Sequence, residues 1–223
     1  MENPTNLEFK KIFDNVAENF DEISSTYTRR RRTESLEIDD QNKILLEVGA
    51  GTGIITEYAN HHSVCSDISF EMCVQAKIRK KNIVCCDAEC LPFKKESFDT
   101  IISSEMIYYL KNPRTFLSQS FSILKNNGEL KISLVNEKMK FIGDIRKILQ
   151  KLGFNQMYFD DKIKNYLNES VLLNYLNNES FKIRSTEKIV IFPFKSFHYL
   201  NKILEKTKLN RLCLFIIINA IKN

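Results

Sequence analysis

The run Glu47-Val48-Gly49-Ala50-Gly51-Thr52-Gly53-Ile54-Ile55 constrains this chain more than any other part of it. Three of the six glycines stand there at alternate positions, directly after the apolar stretch Ile44-Leu45-Leu46. An apolar run that stops in alternating glycines reads as a buried strand entering a tight turn, with a helix expected to follow. Glycine reaches left-handed backbone angles and, lacking a Cβ, lets backbone N–H groups come close to a ligand. The turn therefore reads as a cradle at the end of the first strand.

Spacing narrows the ligand. A dinucleotide fingerprint, G-x-G-x-x-G, would need a glycine at Ile54 or Thr56, and a phosphate-binding loop would need a lysine after the last glycine. Neither is present. The remaining pattern, acid-x-G-x-G-x-G, suits a ligand that brings no phosphate but an amino-acid tail and a ribose. On this triplet alone, a plain tight turn between two elements stays open.

The following stretches repeat one design. His62-Ser63-Val64-Cys65-Ser66 reads as a second short strand ending in Asp67, eighteen residues after Gly49. That offset is close to the one at which an acid at a strand end bonds ribose hydroxyls. Ile83-Val84-Cys85-Cys86 is a third β-prone run and ends in Asp87-Ala88, where a carboxylate can accept an adenine amino hydrogen. Phe98 to Glu105 is a fourth, with polar groups at its end. In open α/β sheets the ligand sits beyond the carboxyl ends of the strands. Solvated loop residues would have to recur there four times in register to imitate the pattern.

Together these motifs resemble the class I S-adenosylmethionine-dependent methyltransferases, most of all the small-molecule branch that includes quinone and biotin-pathway enzymes. The resemblance covers about residues 44 to 133. It rests on Ile44 to Thr56, Val64 to Ser69, Cys86 to Phe93, Ser97 to Ser103 and Leu124 to Leu130. It implies S-adenosyl-L-methionine as cofactor and S-adenosyl-L-homocysteine as product. Glu47 and the Gly49, Ala50, Gly51 and Gly53 backbone would hold the methionine part, and Asp67 the ribose. Ile68 would lie against the adenine, Asp87 and Ala88 at its amino edge, and Ser104 at the sulfonium. Two departures stand out. Asn127-Gly128 replaces the usual Gly-Gly of a late turn, and Tyr108-Tyr109 stands where many relatives have histidines.

The expected fold is a Rossmann-like α/β domain: a seven-stranded, mostly parallel sheet with an antiparallel last strand, helices on both faces and an N-terminal helical cap. Residues 1–40 are the cap, with apolar positions at helical spacing (Leu7, Phe9, Ile12, Phe13, Val16, Phe20, Ile23). Residues 41–136 form the cofactor-binding core, with a helix at 113–124 opened by Asn112-Pro113 as N-cap and first-turn proline. Residues 137–170 read as a helical, aromatic insert placed to bind an acceptor or simply to pack. Residues 171–223 complete the sheet: helices near 170–178 and 196–206, strands near 182–192 and 212–221. One domain is expected.

Composition excludes several classes. At 223 residues, 43% hydrophobic and 27% charged, the chain is ordinary for a soluble enzyme. Its longest apolar run, Leu212 to Ile218, is too short to cross a bilayer. Charges stud Met1 to Glu22, so no secretory signal is read and a cytoplasmic location is expected. The six cysteines lack C-x-x-C pairing, and the three histidines are scattered; reduced core thiols and no metal site are expected. The net charge is +5, and its densest cluster is Arg29-Arg30-Arg31-Arg32. This run reads either as a solvated helix face or as a site for phosphate or an acidic carrier protein. Nucleic acid is disfavoured, because aromatics do not interleave with it.

The sulfonium methyl is already activated, so the protein's task is to align an acceptor in line with it and exclude water. Tyr27, Tyr108 and Glu105 are the catalytic candidates by type and position. The leading reading is a methyltransferase acting on a small-molecule or lipid-like acceptor by in-line displacement. An RNA or protein methyltransferase and a non-catalytic cofactor-binding partner subunit are the alternatives.

Overall fold

A computed structural model of the chain describes residues 6–23, 26–37, 42–58, 63–137, 167–192 and 194–223. Short apolar, β-branched runs become the strands: β1 (Leu45–Val48), β2 (Val64–Asp67), β3 (Asn82–Cys85), β4 (Phe98–Ser104), β5 (Leu124–Val135), β6 (Phe181–Ile189) and β7 (Phe215–Lys222). They form one sheet in the order β3-β2-β1-β4-β5-β7-β6. β1 to β5 pair in parallel, whereas β7 runs antiparallel to both neighbours, so β6 points the same way as β5. The chain reverses its direction of travel across the sheet between β1 and β4, where such folds place a ligand.

Alternation along the strands separates two cores. Leu46, Ile101, Ile132, Ile216 and Ile218 face one way and pack with Phe116 and Leu117 of α5 (Pro113–Ile123) and Leu172 and Leu176 of α6 (Glu169–Asn178). Leu45, Ile102 and Ile217 face the other way, onto Leu36 at the end of α3 (Thr26–Leu36). Lys131 also faces that side. It is buried because its ammonium donates to the Leu36 carbonyl at 3.0 Å, capping the C-terminus of α3 where a cation is favoured.

The cap consists of α1 (Asn6–Val16), a 3-10 turn, the single-turn α2 (Phe20–Ile23) and α3. α1 lies against α4 (Phe70–Ile78), which Ser69 opens by accepting a hydrogen bond from Met72 N–H at 3.1 Å. The apolar face of α1 is narrower than the sequence suggests. Phe9 is buried, but Leu7 is 70% exposed, because two residues turn a helix by more than half a circle.

Several expectations are corrected. The glycine turn opens no α-helix: among the described residues, the link from β1 to β2 holds only a 3-10 turn at Thr56–Tyr58. Pro113 begins α5 as expected, but the Asn112 side chain makes no cap hydrogen bond. The last strand begins at Phe215, since Leu212 ends a 3-10 turn (Lys208–Leu212). Asn127 does take the left-handed angle, φ 62, that its turn requires. Apart from its ends, the expected insert at 137–170 lies outside the described residues.

Phe116 is fully buried between α5 and the sheet. Phe116→Ala should therefore cost about 3–5 kcal/mol in urea unfolding. Leu7→Ala should stay within about 0.5 kcal/mol of the parent, as a solvent-facing change does.

Candidate active site

The carboxyl ends of β1 to β4 converge on one edge of the sheet. β1 runs into Gly49, Gly51 and Gly53, all at positive φ (72, 55 and 73°). This winding folds the turn back onto β2: Gly49 and Ala50 N–H both donate to the Ser66 carbonyl at 2.8 and 3.0 Å. Gly51 N–H donates to the Asp67 carboxylate at 2.7 Å. The steric demand is greatest at Gly49, where a Cβ would lie 2.3 Å from Met106 Cγ. At Gly51, the middle glycine, a Cβ would meet Phe20 only at 3.6 Å, and backbone angle is its main restraint.

Three carboxylates surround the turn. Glu47 is 1% exposed, and its Oε2 has no hydrogen-bond partner. Burial pushes its pKa up to about 8, although Thr56 hydrogen-bonds to the carboxyl and opposes the rise. A buried carboxyl with an unused oxygen below a glycine turn is matched to a cationic group such as an amino-acid ammonium. Asp67 accepts one N–H on each oxygen, from Gly51 and Ser69, which leaves lone pairs for two hydroxyls. Asp87 accepts from Glu89 N–H at 2.8 Å and from the Asn6 side-chain amide at 2.9 Å. The Asn6 carbonyl oxygen is itself buried without a partner, so an acceptor lies beside Asp87 at the place expected for an amino edge. Ala88 is buried; Ile68 is half-buried, and its carbonyl accepts the Cys85 thiol.

The cap closes over this edge. Thr52 Oγ1 donates to Asp21 at 2.7 Å, and Ser69 Oγ to Asp14 at 2.6 Å. Above them, Tyr109 meets Phe9 and Phe13 edge-on at 4.9 and 5.1 Å, and Phe13 meets Phe20 at 6.3 Å. These rings form an apolar roof next to the glycine turn.

At the end of β4 lies a buried polar network. The Ser104 and Ser133 hydroxyls are 3.0 Å apart, and Ser133 donates to Glu105 at 2.7 Å. Tyr108 OH donates to the other Glu105 oxygen at 3.2 Å, and Arg32 lies 3.5 Å from the first. Glu105 sits at φ 58, a left-handed angle uncommon outside glycine, and its N–H donates to the Ser133 carbonyl. Burial, with Glu105 adjacent, pushes the Tyr108 phenol well above its ordinary value. Tyr108 is thus a hydrogen-bond donor to Glu105. Tyr27 is drawn away from this group: its hydroxyl accepts from Asn201 at 2.9 Å.

The arginine run is neither of the things expected. Arg31 and Arg32 are buried, at 7% and 8% exposure. Arg31 pairs with Glu205 at 2.7 Å and Glu34 at 3.0 Å, Arg32 with Glu105 while stacking over Phe215, and Arg30 with Glu34. Arg29 donates to the Asp21 carbonyl. A run consumed by internal partners is not an anion-binding patch, so the acidic-carrier and phosphate expectation for Arg29, Arg30, Arg31 and Arg32 is withdrawn. The cysteines divide too: Cys65, Cys73 and Cys213 are buried, whereas Cys85 and Cys90 are exposed. Burial lifts the thiols of Cys65 and Cys213 to about 12, so both are inert small apolar groups. Among the described residues no cluster suited to a metal occurs, and no helix is long and apolar enough to cross a membrane.

A family model described as a methyltransferase domain matches residues 46–132, the segment that carries the turn and all three carboxylates. Over that segment the chain is similar to S-adenosylmethionine-dependent methyltransferases. An uncharacterized protein of Methanocaldococcus jannaschii is 27% identical over 86% of this chain and 90% of its own length. A demethylmenaquinone methyltransferase of Corynebacterium urealyticum is 27% identical over 56% of this chain and 59% of its own. An S-adenosylmethionine-dependent methyltransferase from Thermotoga maritima has the same fold, with a TM-score of 0.70 over 96% of this chain and 99% of that one, at 17% identity.

Some residues of this site gave no signal in the sequence. Asn6, Asp21 and Phe20 reach the glycine turn and Asp87 only through the docking of the cap, and Met106 only through the bend after β4. The capping aspartates were visible only as ordinary charges on a helix.

Glu47 should make the stability of this protein pH-dependent. In the unfolded chain its carboxyl ionises near 4.5, but in the fold it stays protonated up to about 8. The unfolded state therefore binds fewer protons across that window, and stability falls as pH rises through it. Urea titrations of the ligand-free protein from pH 5 to about 9 should show Glu47→Gln gaining on the parent by a few kcal/mol, at about 1.4 kcal/mol per pK unit. A constant difference would mean that Glu47 is not held neutral.

Proposed function

We propose that the chain transfers the methyl group of S-adenosylmethionine to a small-molecule or lipid-like acceptor by in-line displacement. The buried, unpartnered Glu47 oxygen beneath a left-handed glycine turn carries this reading. It is a site built for a cation with an adjoining carboxylate, which is the amino-acid end of that cofactor. When bound, the cofactor supplies a methyl on a positive sulfur, already activated toward nucleophiles.

The chain's own residues then position and desolvate. Glu47 holds the ammonium, the Gly49 to Gly53 backbone leaves room for the tail, and Asp67 takes the ribose hydroxyls. Asp87 and the Asn6 carbonyl oxygen accept from the adenine amino group, with Ile68 and Ala88 along the ring. Ser104 faces the sulfonium region. Phe9, Phe13, Phe20 and Tyr109 exclude water, which strengthens every charge interaction below them. Tyr108, its one O–H given to Glu105, fixes that carboxylate and takes no proton from the acceptor. Glu105 is already occupied by Ser133, Tyr108 and Arg32, so an acceptor that ionises without help, such as an enol or carboxylate, fits best. We read cap, core and sheet completion as one functional unit.

The match to a quinone-pathway enzyme supports a small acceptor. The inward turn of Arg31 and Arg32 removes the basic face that an RNA substrate would need. A non-catalytic cofactor-binding subunit is the second reading, favoured by the crowding of Glu105.

Titration calorimetry with S-adenosylhomocysteine should detect binding, and Asp67→Ala should weaken it by about 1.5–3 kcal/mol, the loss of hydrogen bonds to a charged group. With a methyl-labelled cofactor and cell extract, label should enter the solvent-extractable fraction. Label in RNA or protein would replace the small-acceptor reading, and binding without transfer would favour the subunit.

A further inference from the structure

Between β6 and β7 the chain spends residues 190–214 on a segment that the sheet itself does not require. Its inner side is firmly held. Asn201 is fully buried and accepts from Ile191 and Phe192 N–H while donating to the Phe192 carbonyl and Tyr27 OH. Glu205, the segment's only acid, also turns inward, accepting from Val190 N–H at 2.8 Å and pairing with Arg31.

The outer side is one-sided in composition. Phe194, Tyr199, Leu200, Ile203, Leu209 and Leu212 are exposed large apolar side chains, with Tyr199 at 82% and Ile203 at 63%. Lys195, Lys202, Lys206, Lys208 and Arg211 are exposed among them. On α7 (His198–Leu204), Tyr199, Lys202 and Ile203 share a face, being three and four residues apart. Phe197 extends the surface, its ring 4.9 Å from Phe192 and 6.4 Å from Phe194. Ile189 at the end of β6 and Val135 at the end of β5 both pair with Phe215. The segment therefore leaves the sheet at the edge that carries the glycine turn, and Tyr27 and Arg31 tie it to the cap.

Charge decides the occupant. A twofold contact between two copies would set the same five cations against one another. A nucleic acid would leave the aliphatic residues without a partner. Apolar and aromatic side chains interspersed with lysines, and no outward acid, match the boundary between acyl chains and phosphate headgroups. We infer that the 190–214 segment is a docking surface for an anionic lipid bilayer, entered by Tyr199, Leu200 and Ile203 and held by lysines at phosphate level. This surface stands independently of the acceptor and of methyl transfer.

Vesicle flotation tests it. The protein should float with vesicles of equimolar phosphatidylcholine and phosphatidylglycerol, much less with phosphatidylcholine alone, and be released by high salt. Lys202→Gln and Lys206→Gln should each lower partitioning about five-fold, and Tyr199→Ser with Ile203→Ser about ten-fold or more. These side chains point into solvent, so circular dichroism and S-adenosylhomocysteine affinity should stay at parental values. No flotation, equal flotation with both vesicle types, or variants that float like the parent would overturn the inference. So would a doubled mass in light scattering that the Tyr199→Ser/Ile203→Ser variant abolishes, because the patch would then join two copies.

Discussion

The site depends on one short contact: the Gly49–Ala50 turn doubled back onto the Ser66 carbonyl, with Gly51 N–H on the Asp67 carboxylate. Left-handed angles at alternate residues permit that fold-back, and side chains other than glycine would resist it. It sets the Asp67 carboxylate against the backbone of the turn, and it leaves Glu47 sealed underneath. A carboxyl without solvent and with an unused oxygen is costly to the empty protein. The same cost favours whatever cation fills the space, so the fold stores part of its ligand affinity as instability of the unliganded state.

A second layer comes from the cap. Asp14 and Asp21 accept from the hydroxyls of Ser69 and Thr52, residues beside Asp67 and within the turn, and Asn6 reaches Asp87. The roof is therefore held by polar contacts at its rim and by aromatic edges at its centre. Apolar rings exclude water without competing for the hydrogen-bonding groups below.

The core of this arrangement was legible in the sequence because it is local. Strand, glycines and acid follow one another within about twenty residues. The features that escaped were nonlocal. Four consecutive arginines look like surface, yet Arg31 is satisfied by Glu205 and Arg32 by Glu105, partners that no spacing rule connects. Tyr27 was a catalytic candidate by type, yet its hydroxyl accepts from Asn201, far along the chain. The helix expected after the turn does not occur among the described residues, because the glycine pattern specifies the turn but not the element that comes after it.

Arg31 meeting Glu205, and Arg32 meeting Phe215, join the first and last quarters of the chain. β7 must slot between β5 and β6 before α3 has a surface to rest on. Assembly of this protein is therefore governed by its most distant contacts, which are slow to form because loop closure precedes their reward.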